Sequence, residues 1–228
     1  MKKLAIFVLI IYVISIFTLS GCEKSPVEKK VVLSTGEGML LETAYGDSDP
    51  IKLINTVSLI IKGTVTKAEE PYYLDNFGFP RCGYRINVNT ILKGNNIVSV
   101  DDEVYMYSLS GYVKFSTYAS TIDNSMALQV AFPEGEYNKY LVDDNAYVAC
   151  HFQDDIIPEE GKEYIFLLTE YDGKNSAANW VLWSARSSVL LITDNKLEGW
   201  ATSLFGETYD ELIKVIDLSL QTPDVKFK

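Results

Sequence analysis

The sequence predicts a mainly β chain, an antiparallel barrel or sandwich, with a long insert and helix as the minor component. Three observations carry this reading. About eight runs are rich in β-branched and aromatic residues and are bounded by Gly, Pro, Asn or Asp. Most connections between them are hairpin-sized, which favours sequential antiparallel pairing over a βαβ sheet. One capped, single-striped helix closes the chain.

Taken in order, residues 30–34 (KVVLS) make a short strand, followed by a turn at 35–38 with two glycines. Asp49-Pro50 supplies an N-cap and a first-turn proline for a two-turn helix over 51–57, with Ile51, Ile54 and Leu53 inward. Residues 58–67 (SLIIKGTVTK) form the first long strand, and 71–82 an aromatic loop punctuated by Gly and Pro. Residues 83–93 alternate clearly: Tyr84, Ile86, Val88, Thr90 and Leu92 share one face, Arg85, Asn87 and Asn89 the other. A turn at Gly94-Asn95-Asn96 leads to a strand over 101–109 that can pair back on 83–93. The stretch 110–145 has weak periodicity and many tyrosines, and is too long for a bare loop, so short elements are expected inside it. Strands follow over 146–152, 162–171 (KEYIFLLTEY, the most apolar of them), 179–184, 187–193 and 197–200. Turns at Pro158-Glu159-Glu160-Gly161, Asp172-Gly173 and Asp194-Asn195-Lys196 separate them. Thr208-Tyr209-Asp210-Glu211 reads as a capping box, and Leu212, Val215, Ile216 and Leu220 as the apolar stripe of the last helix.

The N-terminus carries the most specific signal. Lys2 and Lys3 precede an apolar run over 4–19, interrupted only by Tyr12, Ser15 and Thr18, which ends at Leu19-Ser20-Gly21-Cys22. This resembles the lipobox of bacterial lipoproteins. The resemblance implies a signal peptide over 1–21, acylation (palmitate) of the Cys22 sulfur, and a lipid-anchored position on the extracytoplasmic side of the cell membrane. A single acyl chain anchors weakly, whereas a diacylglyceryl thioether holds stably. The alternative, an N-terminal transmembrane anchor, also exports the rest of the chain. Residues 22–30, polar and containing Pro26, read as a tether, and 31–228 as a single domain.

Two stretches carry a second likeness. The strand Leu59-Ile60-Ile61-Lys62-Gly63-Thr64-Val65, the ending Ile91-Leu92-Lys93-Gly94, and Gly161-Lys162-Glu163-Tyr164-Ile165-Phe166-Leu167-Leu168 resemble exported bacterial domains with an OB-like β-barrel. Such domains are similar in outline to the inhibitory domain of the tissue inhibitors of metalloproteinases. Those inhibitors chelate zinc through a free N-terminal cysteine amine. The corresponding residue here would be Cys22, lipid-bearing and beside the membrane, so the mechanism does not carry over.

Composition sets further bounds. The chain has 20 basic and 31 acidic side chains, and the leader holds two of the basic ones, leaving the exported part a formal charge of −13. That field repels phosphate backbones, which excludes a nucleic-acid partner. Besides Cys22 the cysteines are Cys82 and Cys150. An exported domain permits a disulfide between them, closing a 68-residue loop worth at most ~4 kcal/mol. Two unpaired thiols are the other reading.

Chemistry is sparse. His151 is the only histidine, and its neighbour Cys150 points to the opposite face of a strand, against a Cys-His dyad. No hydrolase elbow, phosphate loop, zincin helix or dinucleotide fingerprint occurs, and no acidic pair has EF-hand spacing, so neither a cofactor nor a metal is expected. The acids come in pairs, Asp47 with Asp49, Asp101-Asp102-Glu103, Asp143-Asp144, Asp154-Asp155 and Glu159-Glu160. Such pairs are solvated turn residues unless folding converges two of them as a glycosidase does. Aromatics mark the candidate ligand-binding residues: Tyr72, Tyr73, Phe77 and Phe79 in one loop, with His151 expected beside it. A second group, Tyr112, Phe115, Tyr118, Phe132, Tyr137 and Tyr140, either fills a small core under the insert or presents a surface. The expected function is a surface-anchored, non-catalytic binding or accessory module at the cell envelope, with an envelope protein or glycan as partner. The alternatives are a cell-wall or carbohydrate hydrolase using paired carboxylates and a protein-inhibitor module.

Overall fold

The computed structural model describes residues 29–35, 49–71, 73–74, 80–121, 125–151, 155–170, 180–182, 188–199 and 201–221. The lipobox with Cys22, the aromatics Tyr72, Phe77 and Phe79, and the Asp172-Gly173 turn lie outside them. The chain runs β1 (Lys30–Thr35), α1 (Pro50–Thr56), β2 (Leu59–Ala68), β3 (Tyr73–Leu74), β4 (Pro80–Lys93), β5 (Glu103–Ser108) and β6 (Gly111–Lys114). It continues through α2 (Phe115–Thr121), α3 (Ser125–Val130), α4 (Glu136–Leu141) and β7 (Ala146–Cys150). The last elements are β8 (Glu163–Glu170), β9 (Trp180–Leu182), β10 (Val189–Thr193), β11 (Lys196–Glu198), α5 (Thr202–Phe205) and α6 (Tyr209–Gln221).

Five strands close a barrel. β2 pairs antiparallel with β4 and β8, and β4 with β5. β9 completes the ring by lying parallel to β5 and antiparallel to β8. The fold is thus mainly β, an OB-like barrel with a C-terminal helix. Strand closure demands strong coiling, and β2 and β4 supply it through three register shifts, at Ile60/Ile61, Lys62/Gly63 and Val65/Lys67. At Gly63 the wall is so tight that a Cβ would stand 2.5 Å from Ile86 Cγ2 and 2.7 Å from the Asn87 carbonyl oxygen. The shifts also explain why the alternation of 83–93 does not run to its end. Tyr84, Ile86 and Val88 face the barrel interior, but beyond them Ile91 packs inward while Leu92 packs on the outside.

β8 is apolar on both faces because both are covered. Tyr164, Phe166 and Leu168 point into the barrel, and Ile165 and Leu167 into a second core beneath the helices. That second core joins Ile60 and Leu190 to Leu53 and Ile54 of α1 and Leu212 and Ile216 of α6. Asp49 caps α1, its carboxylate accepting from the amides of Ile51 and Lys52 at 3.0 and 3.1 Å. Thr208 and Glu211 exchange the reciprocal bonds of a capping box at 3.3 and 3.1 Å. One member of the expected stripe departs: Leu220 is 57 % exposed. At 3.6 residues per turn the buried line falls on Ser219 instead, whose hydroxyl donates to Asn55 Oδ1. The strands expected over 179–184 and 187–193 are β9 and β10, which pair in succession along one edge of β8.

The stretch 110–145 contains its own structure. β1, β7 and β6 form a separate three-stranded sheet, with β1 and β7 parallel and β6 and β7 antiparallel. Its outer face packs Val113, Ala146, Val148 and Cys150 against Phe115, Tyr118 and Leu128. Phe115, Phe132, Tyr137 and Tyr140 stack edge to face with centroids 5.2–5.9 Å apart, a geometry that ring quadrupoles favour. Most aromatics of this stretch therefore form a core. Among the described residues no helix is long and apolar enough to cross a membrane.

The helix contributions can be separated by mutation. Leu212→Ala is expected to cost ~2–5 kcal/mol in chemical denaturation, because the side chain is fully buried between α1 and the barrel. Leu220→Ala, on the exposed side, is expected to stay within ~0.5 kcal/mol. Equal losses would mean that α6 docks by another face.

Candidate ligand-binding cleft

The insert sheet and the barrel meet along β4 and β6, and beside this junction opens a cleft of about 600 Å³. Its floor is Cys82 and Tyr84 of β4. Tyr84 is buried, and its hydroxyl donates to the Ser110 carbonyl at 2.9 Å, which ties barrel to insert. Gly111, next in the chain, has no side chain because Cys82 Sγ occupies the place of its Cβ.

One wall comes from the insert sheet. Tyr112 faces Ala149 and Lys114 faces Tyr147 in the β6–β7 register, so alternation puts Tyr112 and Tyr147 on the same face. Both line the cleft, with Val31 of β1. Lys29 enters here: its Nζ lies 4.9 Å from the Tyr112 ring centroid and 5.6 Å from that of Tyr147. The adjacent Lys30 sits over Tyr140 at 4.7 Å.

The facing wall is acidic. Glu69 and Glu70 follow the end of β2, and Glu159 and Glu160 stand on the turn before β8. Glu69 is fixed by Arg85 at 2.8 Å and by the Tyr105 hydroxyl at 2.7 Å, which hold its carboxyl down at about 2. Glu159 pairs with Lys162 at 3.0 Å. Glu160 accepts the Ala68 amide at 2.8 Å, and Glu70 has Lys114 at 4.0 Å. A carboxyl held at about 2 cannot serve as the general acid of a glycosidase, which needs its proton near neutral pH. The carboxyl that burial does push up, to about 7, is Asp155, which lies against Ser110 behind the Tyr84 floor and is not one of the residues lining the cleft.

The residues singled out from the sequence fare differently. Tyr72, Phe77 and Phe79 are outside the described residues, and Tyr73 is placed only by its backbone, opposite Arg81 in the β3–β4 pair. His151 ends β7. Its amide donates to the Thr35 carbonyl at 3.1 Å, and Nε2 and Ser34 Oγ are 3.0 Å apart. Folding thus brings a serine beside the histidine from 117 positions away. Both contacts stitch the end of β1 to β7, and a nucleophilic pair would also need an oriented base and oxyanion donors. Cys82 and Cys150 carry no bridge: both are free and buried, one in the barrel wall and one on β7. They are neighbours nonetheless, since Gly111 touches Cys82 on one side and faces Cys150 in register on the other. The acids at Asp102 and Asp143 cap turns, accepting from Ser99 and Asn145 amides. Among the described residues no group of three potential ligands could hold a metal. Lys29, Tyr112, Tyr147 and Glu69-Glu70 were not singled out as a site, because they come from four separate segments.

No family model matches the chain, and no curated protein matches it either.

Two measurements follow from these buried groups. Burial raises the Asp155 carboxyl above its ordinary value of 3.8, with the Ser110 hydrogen bond opposing. The folded state therefore holds the proton more tightly than the unfolded one. The contribution of Asp155 itself is full below pH about 4 and falls, by up to ~4 kcal/mol, as pH rises through about 7, opposite in sign to that of the depressed Glu69 carboxyl. Asp155→Asn should flatten that fall in denaturation curves taken at pH 4 and pH 8. Burial also pushes both thiols up, Cys150 to about 11 and Cys82 further. In the folded Cys22→Ala chain, iodoacetamide at pH 8 should leave both unlabelled until denaturant is added. A denatured, unreduced sample without free thiol would mean that the two are bridged.

Proposed function

We propose that this protein is a lipid-anchored, non-catalytic binding or accessory module at the extracytoplasmic face of the cell membrane. The observation that carries the binding part is the cleft beside the barrel–insert junction, with tyrosine faces on one wall and carboxylates on the other. OB-type barrels commonly bind at a sheet face or loop cluster, and concave sites of this size suit small ligands. The anchoring part rests on Leu19-Ser20-Gly21-Cys22 and the apolar run before it. Glu69 gives the acidic wall a fixed negative charge, since Arg85 and the Tyr105 hydroxyl hold its carboxylate as an acceptor.

Metabolic labelling with a palmitate analogue tests the anchor. The wild type should be labelled and fractionate with membranes, and Cys22→Ala should be unlabelled and unprocessed. Label that persists in Cys22→Ala sinks the assignment. For the hydrolase alternative, release of reducing ends from cell-wall glycan that disappears in Glu69→Gln would reverse the order of the two readings.

A further inference from the structure

We propose that the cleft binds an aliphatic ammonium ligand of the diamine–polyamine class, and that Lys29 is an internal occupant of its aromatic subsite. This rests on the binding-module reading and gives it a ligand chemistry. The aromatic subsite is the face shared by Tyr112 and Tyr147. Ring faces carry negative potential and attract ammonium groups within about 6 Å, more strongly when water is displaced. Both centroids lie within that range of Lys29 Nζ. An ammonium on an alkyl stem is therefore already accommodated there, at the end of the tether.

The remainder of the cleft asks for further positive charge. With Lys29 in place there is still about 600 Å³ of space, within the range of small-molecule sites. Four carboxylates line it, and their cations are unequally supplied. Glu69 and Glu159 have close partners in Arg85 and Lys162. Glu70, 61 % exposed at its side chain, has Lys114 only at 4.0 Å. Glu160 accepts one backbone amide and makes no ion pair among the described residues. A ligand with one ammonium would satisfy the tyrosines alone. One with two or more, joined by methylenes, would reach Glu70 and Glu160 as well, its chain lying over Val31 and Ala68. The acidic excess of the whole chain draws such a cation in.

Calorimetric titration of the purified full chain in detergent micelles with spermidine, at fixed ionic strength, tests this. Saturable one-to-one binding is expected, weakened about tenfold by Tyr112→Ala or Tyr147→Ala. Lys29→Gln should tighten binding several-fold by vacating the subsite, while Lys196→Gln, on β11 at the far edge of the sheet, should change nothing. If Tyr112→Ala fails to fold, Tyr112→Phe should retain binding and the Lys29→Gln arm still decides. Three results overturn the proposal: no saturable binding by either wild type or Lys29→Gln, binding indifferent to both tyrosines, or full displacement by magnesium at equal charge. Palmitate labelling is read separately, so a labelled chain that ignores spermidine loses this ligand and keeps its anchor.

Discussion

The hydrogen bond from Tyr84 to the Ser110 carbonyl holds the molecule's two sheets in one body. It is buried, and a buried hydroxyl or carbonyl left without its partner costs ~1–3 kcal/mol, so the two sheets have little freedom to separate. The junction around it has no slack. Cys82 fills the space that a side chain at Gly111 would need, which brings β6 directly against β4. Everything attributed to the cleft depends on that approach. Its floor belongs to the barrel and its aromatic wall to the insert, so a change in their separation would open or close it.

Closure of the barrel explains where the insert could grow. In a closed ring each barrel strand has both edges paired, and new structure must enter through a connection. Here it enters between β5 and β8, where Gly111–Lys114 and Ala146–Cys150 meet β1 in a sheet of their own. The insert cannot share the barrel's interior, which explains the second set of aromatics: Phe115, Phe132, Tyr137 and Tyr140 supply a core that the small sheet could not otherwise acquire. Tyr112 and Tyr147 differ from that set because alternation sends them to the opposite face of the same strands, toward the barrel.

Much of the fold was legible because it is written in local patterns. The alternation at Tyr84, Ile86 and Val88, the continuous apolar run of β8 and the box at Thr208–Glu211 each follow from a period or a cap that a short window contains. What escaped is set by long-range geometry. The register shifts that turn Leu92 outward depend on a partner strand some thirty residues away. The cleft was illegible for the same reason: Tyr112 stands out only as one aromatic of the long insert and Glu160 only as half of an acidic pair, while Lys29, Glu70 and Tyr147 read as ordinary tether, loop or strand residues until the topology gathers them. The hydrogen bond between Ser34 and His151 spans 117 positions and has no sequence signature at all.

The tether gives the proposed anchor and the cleft a common geometry. Seven steps of chain separate Cys22 from Lys29, and an extended chain covers at most ~3.3–3.6 Å per residue, a reach of about 25 Å. Acylation at Cys22 would therefore hold the Tyr112–Tyr147 face within that distance of the bilayer surface. Lys29 and Lys30 are clasped over tyrosines of the insert, so the tether leaves from the cleft rather than from the far side of the barrel. An acidic cleft that came within about one Debye length, ~10 Å, of an anionic surface would meet the layer in which that surface concentrates cations. The same layer would compete for a cationic ligand, so a site working there needs more than charge. Two ring faces that hold the ammonium and four carboxylates spaced along its chain provide such a second, shape-dependent contribution.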